Sequence, residues 1–201
     1  MEPENQADIK KWNRFRNGDD IVLSVIYSEN AEALYQYGLK LTTNRELVED
    51  TIHDLFLDLI RNRKTIGETG HIRFYLLKSF RRRLIRKLKS EKHDRDLPLS
   101  EAVFDVRYSI EQEMISKEIS QNTSARLLTA VGQLSPRQKE AIYLKFQKEL
   151  NYPQISEILG MSVEASRNLI YRAVKSLKEA FPKIGEDAVF LLIFKKNQQT
   201  G

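Results

Sequence analysis

The chain has 201 residues, 41% of them hydrophobic and 30% charged, with a formal net charge of +5. That composition supports one medium or two small domains with a modest core. The absence of cysteine excludes a disulfide frame, a zinc–thiolate site and a thiol nucleophile, and suits a reducing cytoplasm.

The first residues, MEPENQADIK, lack the basic-then-apolar order of a secretory signal. The apolar run Ala188 to Phe194 is far short of the ~20 residues of a membrane span. A soluble, cytoplasmic protein with no direct membrane insertion is expected. Charge is unevenly placed. Residues 1–60 carry 6 basic and 12 acidic side chains, residues 61–95 carry 13 and 3, residues 96–120 carry 2 and 6, and residues 137–183 carry 9 and 5. Two basic blocks around an acidic one fit two contacts with a polyanion, although solvated helix faces give the same pattern.

The periodicity is helical almost throughout. Asp19 and Asp20 cap a helix with Val22, Val25, Ile26, Ala33, Leu34, Tyr37 and Leu41 as apolar positions. Asn44 is a suitable N-cap for the next, which has Glu46, Glu49 and Asp50 near its positive end and Val48, Ile52, Leu55, Phe56 and Leu59 on its inner face. Gly67 and Gly70 mark a loop. A helix over about 72–89 has Leu77, Phe80, Leu84 and Leu88 inside, and Arg73, Lys78, Arg81, Arg82, Arg86 and Lys89 on the other face. Burying such a face without partners costs several kcal/mol or more, so it points to solvent or phosphates; lying on an anionic membrane is a weaker reading.

Residues 93–112 are polar, contain Pro98, lack a sustained period and read as a flexible linker. Helices resume near Ile110 and run on through Leu134. Ser135-Pro136 begins another, as N-cap and first helical position, with Ala141, Ile142, Leu144 and Phe146 inside. The fold class expected is all-α, two small helical domains and a tether.

The next stretch, NYPQISEILGMSVEASRNLIYRAVKSLKE (151–179), reads as two helices about a turn. Asn151 and Gln154 form a capping box and Pro153 lies in the first turn. Ile155, Ile158 and Leu159 face inward, Gly160 stops the helix and Ser162 caps its successor. The second helix buries Val163, Leu169, Ile170, Ala173, Val174 and Leu177. It leaves Glu164, Arg167, Asn168, Tyr171, Arg172 and Lys175 outside. This is the pattern of a helix-turn-helix, in which Arg can address guanine and Asn adenine; a helical hairpin with a solvated face has the same spacing.

Residues 134–179 resemble the C-terminal DNA-binding domain of bacterial sigma-70 factors, most closely the extracytoplasmic-function (ECF) group. Trp12 to Arg63 independently resembles that family's Trp-x-x-hydrophobic, Gly-Asp and Glu-Asp-x-x-Gln-Glu-x-Phe pattern, the last as Glu49, Asp50, His53, Asp54 and Phe56. The likeness covers about residues 10 to 180.

The resemblance implies an N-terminal domain at 10–92 that binds core RNA polymerase through the β′ clamp helices and captures the melted −10 promoter element. It implies a C-terminal domain at 113–181 that reads the −35 duplex beside the β flap, with the 93–112 linker threading between. The acidity of that linker (Asp94, Asp96, Glu101, Asp105) suits a basic channel. Asp50, His53, Asp54, Phe56 and Leu57 fall in the polymerase-docking surface, though Phe56 also fits a core role. The loop from Lys64 to Gly70 corresponds to the one that pockets a flipped base, with Arg73, Lys78, Arg81, Arg82, Arg86 and Lys89 neutralising the −10 strand. Ser162, Glu164, Arg167, Asn168, Tyr171, Arg172 and Lys175 correspond to the −35 contacts. An anti-sigma factor is an expected partner, and no cofactor or metal is expected. This chain departs at His53, where the family often has Gln, and at Arg82 and Lys89, where Asn and Arg are common. The tail, 182–201, lies beyond the likeness.

An enzyme is not expected: His53, His71 and His93 are scattered, and no glycine-rich phosphate loop is present. The alternative is a stand-alone helix-turn-helix regulator, which would need a receiver or ligand-pocket half with α/β periodicity. An RNA-binding or scaffold module using the 81–89 helix is a further rival.

Overall fold

Side-chain caps start the helices where the sequence puts them. The computed structural model describes residues 3–91, 104 and 129–180, and the chain divides into two compact units, Met1–Leu97 and Pro98–Gly201. Among the described residues all regular structure is helical.

The first unit contains α1 (Pro3–Arg16), α2 (Asp20–Leu41), α3 (Arg45–Asn62) and α4 (Ile72–Glu91). Asp19 accepts a hydrogen bond from the Val22 amide and Asn44 one from the Leu47 amide, each satisfying a donor that the first helical turn leaves open. On α3 the five expected inner residues, Val48, Ile52, Leu55, Phe56 and Leu59, are all buried.

The α2 stripe is narrower than expected. Val22, Ile26, Asn30, Leu34, Tyr37, Gly38 and Leu41 are buried, whereas Val25 is 40% exposed and Ala33 half-buried. A near-constant four-residue step sets the contact line, and Val25 and Ala33 lie one position off it. Asn30 is tolerated in that line because its Nδ2 donates to the Ile26 carbonyl at 2.8 Å.

Helix α1 is an element that periodicity did not predict. Its acidic, polar start hides an inner edge made by Trp12 and Phe15, both buried, with Trp12 5.0 Å from the Tyr75 ring of α4. The Trp12 indole N–H donates to the Gly67 carbonyl at 2.9 Å. Asp8 accepts from the Ile72 amide at 2.8 Å, so α1 caps α4. One helix thereby holds the middle of the 63–71 connection and the start of α4.

The second unit contains α5 (Pro136–Ile142), which widens into a π-helical turn at Tyr143–Gln147, then α6 (Tyr152–Leu159) and α7 (Val163–Ala180). Ser135 caps α5 and Gln138 bonds back to the cap amide, a reciprocal pair beyond the Ser-Pro signal. Ala141 to Leu144 are all buried and Phe146 is half-buried, and α5 packs on α7. Burial pushes the Tyr143 phenol well above the usual tyrosine range.

Of the helix expected from Ile110, only its end, 129–132, is described. The 182–201 tail lies outside the described residues. So does the 93–112 linker except Phe104, whose ring is buried 5.5 Å from Tyr143.

Gly38 marks the closest approach of α2 to its neighbours. A Cβ there would lie 2.6 Å from Val48 Cγ1 and 2.9 Å from Phe80 Cζ. Gly38→Ala gains about 1 kcal/mol of helix propensity but overpacks a site where a β-branched side chain and a ring must both move, at about 1–3 kcal/mol. Net destabilisation is expected as a lower urea midpoint with an unchanged slope.

Candidate functional site

The geometry of the second unit is set by its turn. Asn151 and Gln154 exchange two hydrogen bonds of 2.9 Å, fixing the start of α6. Gly160, at φ 63° and ψ 50°, ends it in the left-handed region. The Met161 amide closes back on the Ser156 carbonyl at 3.0 Å. Ser162 then accepts from the Ala165 amide at 3.1 Å and starts α7. Arg137 reaches from α5 to donate to the Leu159 carbonyl at 3.2 Å. No local pattern could have indicated it, since its partner is 22 residues away.

Helix α7 buries Ser166, Ile170, Ala173 and Leu177, with Val163, Leu169 and Val174 half-buried. Glu164, Arg167, Asn168, Arg172 and Lys175 are exposed, and so is Tyr171, at 67%. A large aromatic left that open, amid two arginines, an asparagine and a lysine, gives a surface suited to stacking and hydrogen bonding rather than to a core. The first helix packs Ile155, Ile158 and Leu159 inward, and the pair forms a helix-turn-helix.

In the first unit the basic face of α4 is smaller than its sequence implies. Arg81 is buried and engaged within the chain. It lies on a second inward row with Leu77 and Ile85, four residues from each, beside the row of Leu76, Phe80 and Leu84. The inner arc is thus wider than the single stripe expected, and Leu88 is only half-buried. Arg83 turns to α3 and meets Asp58 at 2.6 Å. Lys87 meets Asp54 at 2.7 Å. Arg73, Lys78, Arg82 and Arg86 remain exposed and Lys89 half-buried; Lys78 also lies 5.8 Å over the Phe74 ring.

The expected docking residues on α3 separate similarly. Asp50 and His53 are exposed and Leu57 half-buried. Phe56 is a core residue, packed edge-on against Tyr27 at 4.9 Å. The hydrogen bond from the Lys87 ammonium holds the Asp54 carboxyl below the usual aspartate range against the opposing effect of desolvation, with smaller help from the charges of Arg83 and His53. The Lys64–Gly70 loop is pinned by Trp12 and by an Arg16–Glu68 ion pair at 3.3 Å. Among the described residues no cluster could hold a metal ion, and no helix is long and apolar enough to cross a membrane.

Residues 124–177, which include the helix-turn-helix, match the family "Sigma-70, region 4". The chain is 24% identical over 170 residues to the ECF RNA polymerase sigma factor BldN of Streptomyces coelicolor, covering 84% of this chain and 64% of that one. It is 23% identical over 162 residues to the ECF RNA polymerase sigma factor SigM of Bacillus subtilis, covering 80% and 96%. The chain is thus similar to ECF sigma factors along most of its length and to sigma-70 region 4 at its helix-turn-helix.

The region 4 match ends at Leu177, the last buried residue described on α7. The chain spans just under two thirds of BldN's length. What the spacing of charges could not reveal is which are already paired: the partners of Arg83 and Lys87, Asp58 and Asp54, lie on another helix.

The Asp54–Lys87 pair has a defined pH signature. Its carboxyl is depressed in the fold, so the stabilisation is fully present above the ordinary value of 3.8 and is lost as pH falls through the folded value. In urea unfolding of wild type and Asp54→Asn, the stability difference is expected to be flat near neutrality and to vanish in acid.

Proposed function

We propose that this chain is a sigma factor that binds core RNA polymerase and directs promoter-specific initiation. The supporting observation is the exposed row Arg167, Asn168, Tyr171, Arg172 on a rigidly capped second helix, within the span matching sigma-70 region 4. In this reading α7 enters the major groove of the −35 element. Arg167, Asn168 and Arg172 address base edges, Glu164 and Tyr171 shape selectivity, and Ser162 and Lys175 face the backbone.

Helix α4 and the 64–70 loop take the −10 strand, with Arg73, Lys78, Arg82 and Arg86 neutralising phosphates and Lys89 at the edge. Arg81 supports the helix from inside. Polymerase docking, on the β′ clamp helices, falls to Asp50, His53 and Leu57 on α3, while Phe56 supports them from the core and Asp54 is shared with Lys87. The −35 unit rests beside the β flap, and an anti-sigma factor is the natural competitor for these faces.

Mixing the purified chain with core RNA polymerase tests the reading. Promoter-specific transcription is expected; failure to bind the polymerase, or dimeric binding to a palindrome without it, would point instead to a stand-alone regulator. Arg172→Ala is expected to lower affinity for a −35-containing promoter by about five- to a hundredfold while leaving polymerase affinity intact. Gel-shift and polymerase pull-down assays on the same preparation separate the two effects.

A further inference from the structure

Two cations from different helices converge on one ring at the entrance of the helix-turn-helix. The Tyr152 ring, at the first position of α6, lies 4.9 Å from the Lys145 ammonium and 5.4 Å from the Arg167 guanidinium, centroid to charge. Lys145 comes from the π-helical turn that ends α5, and Arg167 from the second turn of α7. Tyr152 and Lys145 are half-buried, whereas Arg167 is exposed.

The backbone beneath this meeting point is fixed. Ser166, next to Arg167, is fully buried, and its hydroxyl is shared between the Val163 carbonyl at 2.8 Å and the Tyr152 carbonyl at 3.3 Å. The Asn151–Gln154 capping box holds the start of α6. On the α5 side the Lys148 amide closes the π turn on the Tyr143 carbonyl at 3.2 Å. Glu149, at φ 56°, turns the chain back towards α6. A π turn and a non-glycine residue in the left-handed region are both uncommon, and both are found preferentially where function requires a side chain to be placed.

We propose that Tyr152 is a positioning residue for DNA reading, holding the Arg167 guanidinium in place before DNA arrives. The inference rests on the sigma-factor reading above. An exposed arginine samples many rotamers, and ordering it on binding weakens association. A cation held over an aromatic face has lost part of that freedom already. The ring can do this because Lys145 and Ser166 fix its own helix to α5 and α7. Selectivity at the base pair that Arg167 meets then depends on a side chain outside the recognition helix.

The test begins with a random DNA duplex pool selected by holoenzyme reconstituted from the full chain and core RNA polymerase. Affinities for the selected duplex and its single-base-pair variants are then measured by fluorescence anisotropy at fixed salt. Tyr152→Phe, which keeps the ring, is expected to retain most of the affinity. Tyr152→Leu, which keeps apolar bulk without a ring, is expected to lose about two- to tenfold. Its discrimination should fall at the same base pair that Arg167→Ala affects. In the Arg167→Ala background Tyr152→Leu should cost nothing more.

Equal losses in the Phe and Leu variants would overturn the proposal. So would a Leu loss that persists undiminished in the Arg167→Ala background, because a folding defect or a direct DNA contact by Tyr152 would survive removal of Arg167. If the wild-type holoenzyme enriches no duplex at all, the sigma-factor reading itself fails, before any variant is compared.

Discussion

The N-terminal unit depends on how closely α2 lies against α3 and α4 at Gly38. Val48 and Phe80 occupy the space a side chain at 38 would need, and dense packing leaves little freedom to roll any of the three helices. With Phe80 seated there, the helical period turns Lys78, Arg82 and Arg86 to the far side of α4. Arg83 and Lys87 are brought over α3. The direction of the basic face is therefore a packing result as much as a sequence property.

That packing gives three consecutive arginines three environments. Arg81 is buried, Arg82 is exposed and Arg83 is paired with Asp58. In sequence they form one block of charge, yet one of the three is presented to solvent without a described ion pair. Ion pairs of this partly exposed kind contribute only about 0.2–1 kcal/mol each. Their larger consequence is to reduce the positive potential α4 presents along the edge next to α3. A polyanion meeting α4 would feel Arg82 and Arg86 more strongly than Arg83 and Lys87.

Much of the fold was legible because it is local. Caps at Asp19, Asn44, Ser135, Asn151 and Ser162, and the left-handed stop at Gly160, are decided by residues within a few positions of each other. The helix-turn-helix and its outward row could be read from the same short range. What escaped was tertiary. Helix α1 has only Trp12 and Phe15 as an inner edge, too little for periodicity to detect, and its purpose is visible only once Asp8 and Gly67 are found beside α4 and the loop. Val25, expected inside, lies off a contact line that α3 and α4 define. Arg81 breaks the rule that charge faces outward, because it falls between Leu77 and Ile85 on an inward row. The meeting of Lys145 and Arg167 on Tyr152 joins three elements and has no signature along the chain.

Trp12 has an optical consequence. It is the single tryptophan in the chain, wholly buried and bonded through its indole N–H to the loop between α3 and α4. Indole emission responds to the polarity and hydrogen bonding around the ring, so this side chain is a built-in fluorophore for the 63–71 connection. Tryptophan-selective excitation would report on the first unit while the second, which has only tyrosines and phenylalanines, stays dark. Rearrangement of the loop around a ligand could be followed in real time without attaching a label.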